Sequence, residues 1–392
     1  EAGLEAARKA LSALGRTQPA LGFVFASHDF PIQAVLSGVT SQSGDTPLIG
    51  MSTPVELSDK GHSKHSVVVA FLGGSDIRVR AEWIPGFADE GPGTGPRQAS
   101  QKLLQSLQGD LSGKGMLLIA DGVGADAEPF VKHLSNCLAE LPPDTAPIVA
   151  GCLSPGDLRH ARTYQVGRLQ SGSGGLASAV LSGDLCIGIG TGHGWLPVGT
   201  YYKITQTRGL WIRQIDGKLP SEVYATTFGC TPRDWGFPPL NEMVRIYALG
   251  IEQKIDESVE AAPELIIRSP IRMENDGSMR MNTAIPEGST AHLLVGSAAR
   301  CLEAARKAAS QALENLQSAN RDCNPTLALV LVDKAWQSIL TANPGEEIQA
   351  VRSVIGPDVP IIGGYSFGQI ASLKTKSPDL LNQHILVVLF GS

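Results

Sequence analysis

The stretch LEAARKALSAL (4–14) returns near the other end of the chain as LEAARKAASQAL (302–313), 298 residues later. An apolar run follows each copy, LGFVFAS (21–27) after the first and LALVLVD (327–333) after the second. Apolar residues recur at helical spacing in both copies, and the runs are apolar throughout, as in strands that are buried on both faces. The sequence therefore predicts two related helix–strand units.

Both units continue in the same order, and a looser third copy lies between them. A Pro-apolar-Gly element and then a β-branched run follow in each unit, as is typical of strands bounded by turns. The matching stretches are TPLIGMST (46–53), SVVVAFLGG (66–74), VPIIGGYS (359–366) and HILVVLFGS (384–392), with MLLIADG (116–122), APIVAGCLSPGD (146–157) and GGLASAVLSG (174–183) in the middle copy. We predict an α/β fold of mixed sheets covered by helices, built from three α-β-α-β-β repeats.

A different kind of segment separates the second and third copies. It contains YYKITQTRGLWIRQIDG (201–217), which predicts a β-hairpin with turns at its Arg-Gly and Asp-Gly pairs. We therefore place a domain boundary near Gly183. The predicted N-terminal domain is residues 1–183, with two repeat copies. The predicted C-terminal domain is residues 184–392, with the hairpin-rich insertion and the third copy.

Composition excludes several classes of protein. The chain has 392 residues, 18% of them charged, a formal net charge of −6 and no block of Lys and Arg, so we expect no nucleic-acid partner. No apolar run reaches the roughly 18 residues of a membrane helix. Six cysteines without C-x-x-C spacing argue against a disulfide scaffold. We expect a soluble intracellular protein, in the cytoplasm, or in the chloroplast stroma if a transit peptide once preceded Glu1.

Two glycine-rich motifs suggest catalysis or phosphate binding. GYSFG (364–368) matches the G-x-S-x-G elbow, but that elbow needs a helix after the serine, and similar turns recur in the other copies. A hydrolase that uses Ser366 is therefore the least favoured hypothesis. GIGTGHG (188–194) follows a predicted strand and could cradle a phosphate, although its spacing departs from G-x-G-x-x-G. The histidines lack metal-ligand spacing, so we expect no metal.

The segment TGHGWLPVGTYYKIT (191–205) is the most unusual in the chain. Its glycines allow a ligand to approach the backbone closely, and Trp195 offers an apolar wall. His193 could hydrogen-bond a carboxylate or ligate a haem iron. The alternative is a Gly-rich turn in which Trp195 packs in a core and His193 caps a strand. The sequence leaves both interpretations open.

In their order along the chain, these motifs resemble the FIST family (F-box and intracellular signal transduction proteins) over nearly its whole length. The motifs that carry the resemblance are LGFVFAS, TPLIGMSTPVEL, SVVVAFLGG, HGWLPVGTYYKITQTRG, IIRSPI and VPIIGGYSFGQI. The resemblance implies a non-catalytic sensory protein that binds a small ligand, with amino acids proposed, and acts through a protein partner. It implies no cofactor, or else haem with His193 as its ligand. Many relatives have a cysteine where Trp195 stands here, which argues against a cysteine-based role.

The predicted ligand site lies where the repeat copies meet, because clefts between domains are common binding sites. Arg268 could pair with a ligand carboxylate through its planar fork, or could form an ordinary ion pair. Tyr365 could line the site or pack in the core. The predicted ligand-binding residues are His193, Trp195, Tyr201, Tyr202, Arg268, Gly364, Tyr365 and Phe367.

A second functional hypothesis is a protein-interaction scaffold, or an assembly or regulatory subunit of a larger complex in an organelle. Such a protein would have lost the ligand of its relatives. The low aromatic content of 5% does not favour a rich binding cleft and keeps this alternative open.

Overall fold

The computed structural model describes residues 1–89, 95–107, 113–142, 145–156, 163–252, 265–372 and 377–391. Two residues of the predicted repeat stretches, Asp157 and Ser392, lie outside these ranges. The described residues form ten α-helices and four β-sheets, which confirms the predicted α/β class of mixed sheets covered by helices. Among the helices in these ranges, none is long and apolar enough to cross a membrane.

The helices and strands alternate along most of the chain. The helices are α1 (Ala2–Leu14), α2 (Ile32–Ser43), α3 (Gly95–Ser106), α4 (Glu128–Ala139), α5 (Pro220–Phe228), α6 (Pro232–Trp235), α7 (Leu240–Met243), α8 (Ala298–Ala319), α9 (Ala335–Ile339) and α10 (Glu346–Ile355). The strands are β1 (Pro19–Ser27), β2 (Leu48–Thr53), β3 (Glu56–Ser58), β4 (Gly61–Ser63), β5 (Val67–Gly73), β6 (Ile77–Ile84), β7 (Gly115–Asp121), β8 (Ile148–Ser154), β9 (Gln165–Arg168), β10 (Gln170–Gly172), β11 (Leu176–Gly183), β12 (Cys186–Gly192), β13 (Trp195–Arg208), β14 (Trp211–Ile215), β15 (Leu249–Glu252), β16 (Leu265–Arg268), β17 (Pro270–Met273), β18 (Met279–Met281), β19 (Thr290–Gly296), β20 (Pro325–Asp333), β21 (Ile361–Ser366), β22 (Gln369–Ser372), β23 (Pro378–Leu381) and β24 (Ile385–Gly391).

Three of the sheets are arranged around a parallel pair of strands. Sheet 1 has the order β10-β9-β2-β1-β5, sheet 2 the order β23-β22-β8-β7-β11-β6, and sheet 3 the order β12-β24-β20-β21-β3-β4. The parallel pairs are β1–β2, β7–β8 and β20–β21, and each is flanked by an antiparallel strand. The carboxyl ends of each parallel pair therefore lie at the same edge of its sheet, where α/β proteins commonly bind ligands.

Each of these sheets takes a hairpin from another part of the chain. The hairpin β3–β4 joins sheet 3, where Glu56 lies opposite Gly364. The hairpin β9–β10 joins sheet 1, and β22–β23 joins sheet 2, where Gln369 lies opposite Cys152. The first, middle and last parts of the chain are therefore interlocked. The predicted boundary near Gly183 falls at the end of β11, and β12 then crosses into sheet 3.

The inner faces of sheets 1, 2 and 3 meet in a shared apolar core. Phe23 of sheet 1 and Phe390 of sheet 3 place their ring centroids 5.6 Å apart, and Leu117 of sheet 2 belongs to the same cluster. Alternate residues of the strands point outward, and helices cover these outer faces. The covering helices are α1 and α2 on sheet 1, α3 and α4 on sheet 2, and α8 and α10 on sheet 3.

The GIGTGHG motif allows α8 to pack directly on β12. A Cβ atom built on Gly190 would lie 1.9 Å from the carbonyl oxygen of Ala308, and one on Gly188 would lie 2.1 Å from that of Ala312. Glycine is needed here because the helix backbone approaches closely. These glycines pack against a helix, so the phosphate cradle predicted from the motif is not formed by them.

A disulfide joins Cys186 at the start of β12 to Cys323 just before β20. Cysteine spacing argued against a disulfide scaffold, and this single bridge departs from the expected reducing chemistry. Both strands flank β24, and both Cys186 and Pro325 lie opposite Gly391 in the sheet register. The two cysteines are 137 residues apart in the sequence. Their spacing could not show that they come together, because this depends on β12 and β20 both pairing with β24.

The insertion forms sheet 4, with the order β16-β15-β19-β13-β14-β18-β17. The predicted hairpin is present as β13 and β14, and its Arg-Gly turn connects the two strands. A separate apolar cluster holds this sheet together with α5 and includes Trp235, Tyr224 and Ile212. Sheet 4 thus has its own core and meets the other sheets along one side.

Candidate functional site

The candidate cleft, called the main cleft below because it lies between sheets, is formed where sheet 4 meets the carboxyl ends of β7 and β8. It contains about 840 Å³ of empty space, including the part that is open to solvent. Gly122 follows β7, Gly156 follows β8, and Phe367 follows β21, so two of the interlocked parts form one wall. Arg245 and Arg280 of the insertion belong to the opposite wall.

The wall from sheet 2 is shaped by hydrogen bonds at the strand ends. The Asp121 carboxylate accepts the backbone N–H groups of Val123 and Gly124 at 2.9 and 2.7 Å, which turns the chain away from β7. Phe367 donates its backbone N–H to the carbonyl of Leu153 at 2.9 Å. The turn after β21 is thereby fixed against the end of β8.

The insertion is fastened to this wall by polar contacts outside the cleft. The Thr283 hydroxyl donates to the Asp126 carboxylate at 2.8 Å, and the Ala284 N–H donates to the same group at 3.2 Å. The Arg268 guanidinium donates to Glu128 at 3.1 Å, and burial raises the pKa of Glu128 while Arg268 opposes that shift. These contacts hold the insertion against sheet 2.

Arg245 is held rigidly in the cleft without an ionic partner. Its Nε donates to the Ile271 carbonyl at 2.8 Å, and its guanidinium carbon lies 5.1 Å from the centroid of the Phe367 ring. None of the described carboxylates forms an ion pair with it. Burial lowers the pKa of Arg245, the carboxylates of Glu242 and Asp333 oppose that shift, and the neighbouring cations Arg272 and Arg280 add to it. A guanidinium in this setting favours a bound anion.

Arg280 is the second cation with free donors in the cleft. One terminal nitrogen donates to the Val123 carbonyl at 3.3 Å, and the guanidinium carbon lies 5.4 Å from the Trp211 ring centroid. Its Nε is buried and has no hydrogen-bond partner among the described residues. Burial lowers the pKa of Arg280, and Arg272 adds to the effect. Arg272 itself is exposed and is paired with Glu274 at 2.9 Å.

Asn282 completes the polar lining. Its side chain is buried, and neither its amide oxygen nor its amide nitrogen has a partner within the described part of the chain. Leaving such groups unbonded costs about 1–3 kcal/mol each. A ligand that bonds to both atoms would remove this cost.

Among the eight predicted site residues, Phe367 is the one that lines the main cleft. Trp195 is buried and donates from its ring nitrogen to the Ile246 carbonyl at 3.2 Å. Tyr365 is buried and donates its hydroxyl to Glu347 at 2.5 Å, so it packs in the core. Gly364 lies within buried β21, and a Cβ there would meet side-chain atoms 3.0–3.1 Å away. Arg268 forms the ion pair that fastens the insertion to sheet 2.

The remaining predicted residues lie away from the cleft. Tyr201 is 63% exposed on β13, and the hydroxyl of half-buried Tyr202 lies 3.4 Å from that of Thr227. His193 lines a separate small cleft beside α8, with its ring centroid 4.9 Å from that of His384. Burial, reinforced by His193, lowers the pKa of His384 to about 3. The structure therefore separates His193, Tyr201 and Phe367.

The surroundings of His193 do not fit a haem. The cleft beside it is lined by the charged residues Arg300, Glu303 and Lys307, whereas a haem pocket encloses the macrocycle in largely apolar walls. The Nδ1 atom of His193 also accepts the N–H of Trp195 at 3.3 Å. Within the described ranges, no cluster of His, Cys, Asp and Glu could hold a metal ion.

Ser366 lacks the geometry of an activated nucleophile. Its hydroxyl is buried, donates to the Val332 carbonyl at 3.3 Å and accepts the Gln369 amide N–H at 2.9 Å. The chain continues from it into β22, without the helix that a nucleophile elbow requires.

Sequence reasoning missed Arg245, Arg280 and Asn282. One available signal was the run MRM (279–281), in which an arginine stands between two apolar residues of a strand. Both methionines are buried, and Arg280 points from the same short strand toward the cleft wall. Arg245 gave no comparable signal, because it lies in the 3₁₀ helix Val244–Ile246, which is too short to show a periodic pattern.

Two family models match the chain in succession. The model described as the FIST N domain matches residues 20–218, and the model described as the FIST C domain matches residues 220–372. Their ranges meet between β14 and α5, whereas the predicted domain boundary lies near Gly183. The predicted boundary thus stays a prediction.

The similar solved structures are distant. A crystal structure of chorismatase is 9% identical, with 97% of this chain and 95% of that chain covered and a TM-score of 0.36. A crystal structure of cyanuric acid hydrolase from A. caulinodans is 8% identical, with 80% of this chain and 98% of that chain covered and a TM-score of 0.19. No curated protein matches significantly. The family matches cover nearly the whole chain and agree with the order of its motifs, and the chain therefore belongs to the FIST family.

Proposed function

We propose that this protein is a sensory module that binds a small anionic ligand in the cleft between sheet 4 and sheet 2 and signals through a protein partner. FIST domains are generally sensory domains of signal transduction that bind small ligands, and they are regarded as non-enzymatic. The observation that carries the proposal is Arg245, which is fixed in the cleft without an ionic partner in the described structure.

The electrostatics of the cleft favour an anion. Arg245 and Arg280 are partly desolvated and repel one another, and the exposed Glu242 is the one carboxylate among the described lining residues. Desolvation strengthens a charge-assisted hydrogen bond, because water competes less for the donors. A carboxylate bound here would offset both the lost hydration and the repulsion.

The lining offers no nucleophilic side chain, and exposed Glu242 is its one candidate general base among the described residues. Among the described residues that line the cleft there is no Ser, Thr, Cys, His or Lys. Binding without turnover is therefore the activity that this set of side chains supports best.

The position of the cleft suggests how a bound ligand would be reported. Arg245 accepts a hydrogen bond on its carbonyl from Gln383 at 2.6 Å, and Gln383 in turn donates its backbone N–H to Asp333 at 2.9 Å. A ligand bound to Arg245 would thus be connected through hydrogen bonds to sheet 3, and it would also contact sheet 4 and the end of β8. A partner that contacts more than one of these parts would sense the bound state.

Native mass spectrometry of gently purified protein tests the proposal. We expect a bound small molecule on the wild type and its loss, by at least 10-fold in occupancy, from Arg245→Gln. The matched control is Arg300→Gln, which removes a cation from the small cleft beside His193 and should keep the ligand. A protein without ligand that arrives with a stoichiometric protein partner would contradict the proposal and favour the scaffold hypothesis.

A further inference from the structure

We infer that the ligand is a hydroxylated dicarboxylate, an inference that rests on the proposed function and names the chemical class of its ligand. Three features of the cleft carry it: two guanidinium groups with separate open donors, the lack of an ion pair to either of them among the described residues, and a buried amide with both atoms unbonded.

The two guanidinium groups offer two places for an anionic group. Arg245 lies over Phe367 and uses its Nε on a backbone carbonyl, so its terminal nitrogens remain open. Arg280 lies over Trp211 and uses one terminal nitrogen on the Val123 carbonyl, so its other terminal nitrogen remains open, while its buried Nε has no partner among the described residues. Different rings and different open edges imply that each guanidinium takes its own carboxylate.

The charge around the cleft calls for two negative groups. Arg272 is neutralised by Glu274 at 2.9 Å, which leaves Arg245 and Arg280 as the cations without ionic partners among the described lining residues. The one lining carboxylate, Glu242, is exposed and forms no ion pair with either of them in the described structure, so that Glu242 and the buried Asp333 offset the charge of Arg245 only in part. A ligand with one carboxylate would leave one desolvated cation uncompensated.

Asn282 distinguishes between the groups that could link the two carboxylates. It is 8% exposed, and its amide nitrogen needs an acceptor while its amide oxygen needs a donor. A hydroxyl both donates and accepts, and so satisfies both atoms. An ammonium group only donates, would leave the amide nitrogen unbonded, and would be repelled by the two arginines. An amino acid is therefore a poorer fit than a hydroxy acid.

Isothermal titration calorimetry with four probes tests the class of ligand. The probes are malate (hydroxylated dicarboxylate), succinate (no hydroxyl), lactate (one carboxylate) and aspartate (ammonium in place of hydroxyl). The wild type should bind malate about 10- to 100-fold more tightly than lactate, because one charge-assisted contact is lost. Succinate and aspartate should each bind about 5- to 10-fold more weakly than malate, through the contacts to Asn282.

Variants assign each preference to its residue. Arg245→Gln and Arg280→Gln should each reduce malate affinity to that of lactate, and Asn282→Ala should make malate and succinate equal. Arg245→Lys keeps the positive charge and so controls for loss of folding in the Gln variant. Its affinity for malate should lie between those of the wild type and Arg245→Gln, because Lys lacks the planar fork. Arg300→Gln should bind all four probes like the wild type.

The outcomes separate this inference from the proposed function. Equal binding of malate and lactate, tighter binding of aspartate than of malate, or binding of none of the four would overturn the dicarboxylate inference. If native mass spectrometry still shows another ligand that is lost from Arg245→Gln, the proposed function stands alone. If native mass spectrometry also shows no ligand, both the dicarboxylate inference and the proposed function are refuted.

Discussion

Replacing Glu56 with glutamine should stabilise the protein above pH 7. Glu56 is fully buried at the start of β3, and one of its oxygens accepts the N–H and the hydroxyl of Ser66 at 3.2 and 2.6 Å. Its other oxygen is buried without a hydrogen-bond partner among the described residues. Burial raises the pKa of Glu56 to about 7, despite the two bonds from Ser66.

The other two exchanged hairpins carry glutamine at the equivalent position. Gln165 begins β9 and accepts the N–H of Gly175 at 2.9 Å, while its amide nitrogen donates to the Ser154 hydroxyl at 2.6 Å. Gln369 begins β22 and likewise donates to the Ser366 hydroxyl at 2.9 Å. In two of the three hairpins, a neutral amide thus forms the hydrogen bonds at the first residue of the exchanged strand. Glu56 resembles these glutamines most closely when its carboxyl group is protonated and therefore neutral.

The size of the effect follows from the difference in proton affinity between the folded and unfolded states. The pKa of Glu56 rises from 4.5 to about 7 on folding, and each unit corresponds to about 1.4 kcal/mol, which gives about 3 kcal/mol. The folded state holds the proton more tightly, so this contribution to stability is complete below pH 4.5 and is lost as the pH rises through 7. Glu56→Gln should match the wild type near pH 4.5 and exceed it by about 3 kcal/mol at pH 8.5.

Urea unfolding at pH 5 and pH 8.5 measures the difference, and subtraction of the wild type removes the contributions of other titrating groups. Gln165→Glu is the reciprocal variant and should lose stability at pH 8.5. The exposed residue Glu314, changed to Gln, controls for the loss of a carboxylate at the surface. A Glu56→Gln variant within 0.5 kcal/mol of the wild type at both pH values would refute the reasoning.

Three further changes test the packing and the cleft wall. Gly190→Ala should lose about 1–3 kcal/mol of stability in urea unfolding because its Cβ would overlap the α8 backbone, whereas Thr191→Ala on the same strand should lose less. Cys186→Ser should lose about 2–4 kcal/mol in oxidising buffer, and a loss of the same size in reducing buffer would contradict the disulfide assignment. Arg268→Met should lower the melting temperature by stranding Glu128, yet change ligand affinity less than 3-fold, and a larger affinity loss would place Arg268 at the ligand.

The periodicity of the sequence predicted most of the secondary structure but not the exchange of hairpins between sheets. Helices and buried strands have local signatures, and the predicted β13–β14 hairpin has its own turn residues. The partner of a short strand such as β3 has no such signature, because β3 pairs with a strand about 300 residues further along the chain. The GIGTGHG motif was ambiguous for a related reason. Glycines on one face of a strand suit a phosphate or a helix backbone equally well.

The candidate site was hard to predict because its residues come from the middle part of the chain, the insertion and the last part. The sequence predicts Phe367 as a site residue because of the turn that contains it. The same prediction places Phe367 in one cleft with His193, whereas the structure puts the two residues in separate clefts. Arg245 and Asn282 are candidate ligand-binding residues because they are at least partly buried and have polar atoms without hydrogen-bond partners among the described residues. This property depends on the folded neighbours, so the sequence alone does not reveal it. Trp195 and Tyr365 are predicted site residues because they are aromatic residues next to glycines. In the structure, the polar atom of each side chain forms a hydrogen bond within the core.

The ends of β7 and β20, which belong to two of the parallel pairs, differ in the elements that pack against them. At the end of β20, the Asp333 carboxylate is bonded to the N–H groups of Ala335 and Gln383, and burial raises its pKa to about 6. At the end of β7, the Asp121 carboxylate likewise accepts the N–H groups of Val123 and Gly124, but the loop that follows meets sheet 4, which brings Arg245 and Arg280 without ion pairs among the described residues. The exchanged hairpin β22–β23 then adds Phe367 from the last part of the chain. A ligand at this end therefore contacts the middle part, the insertion and the last part at once, and its binding free energy must couple all three.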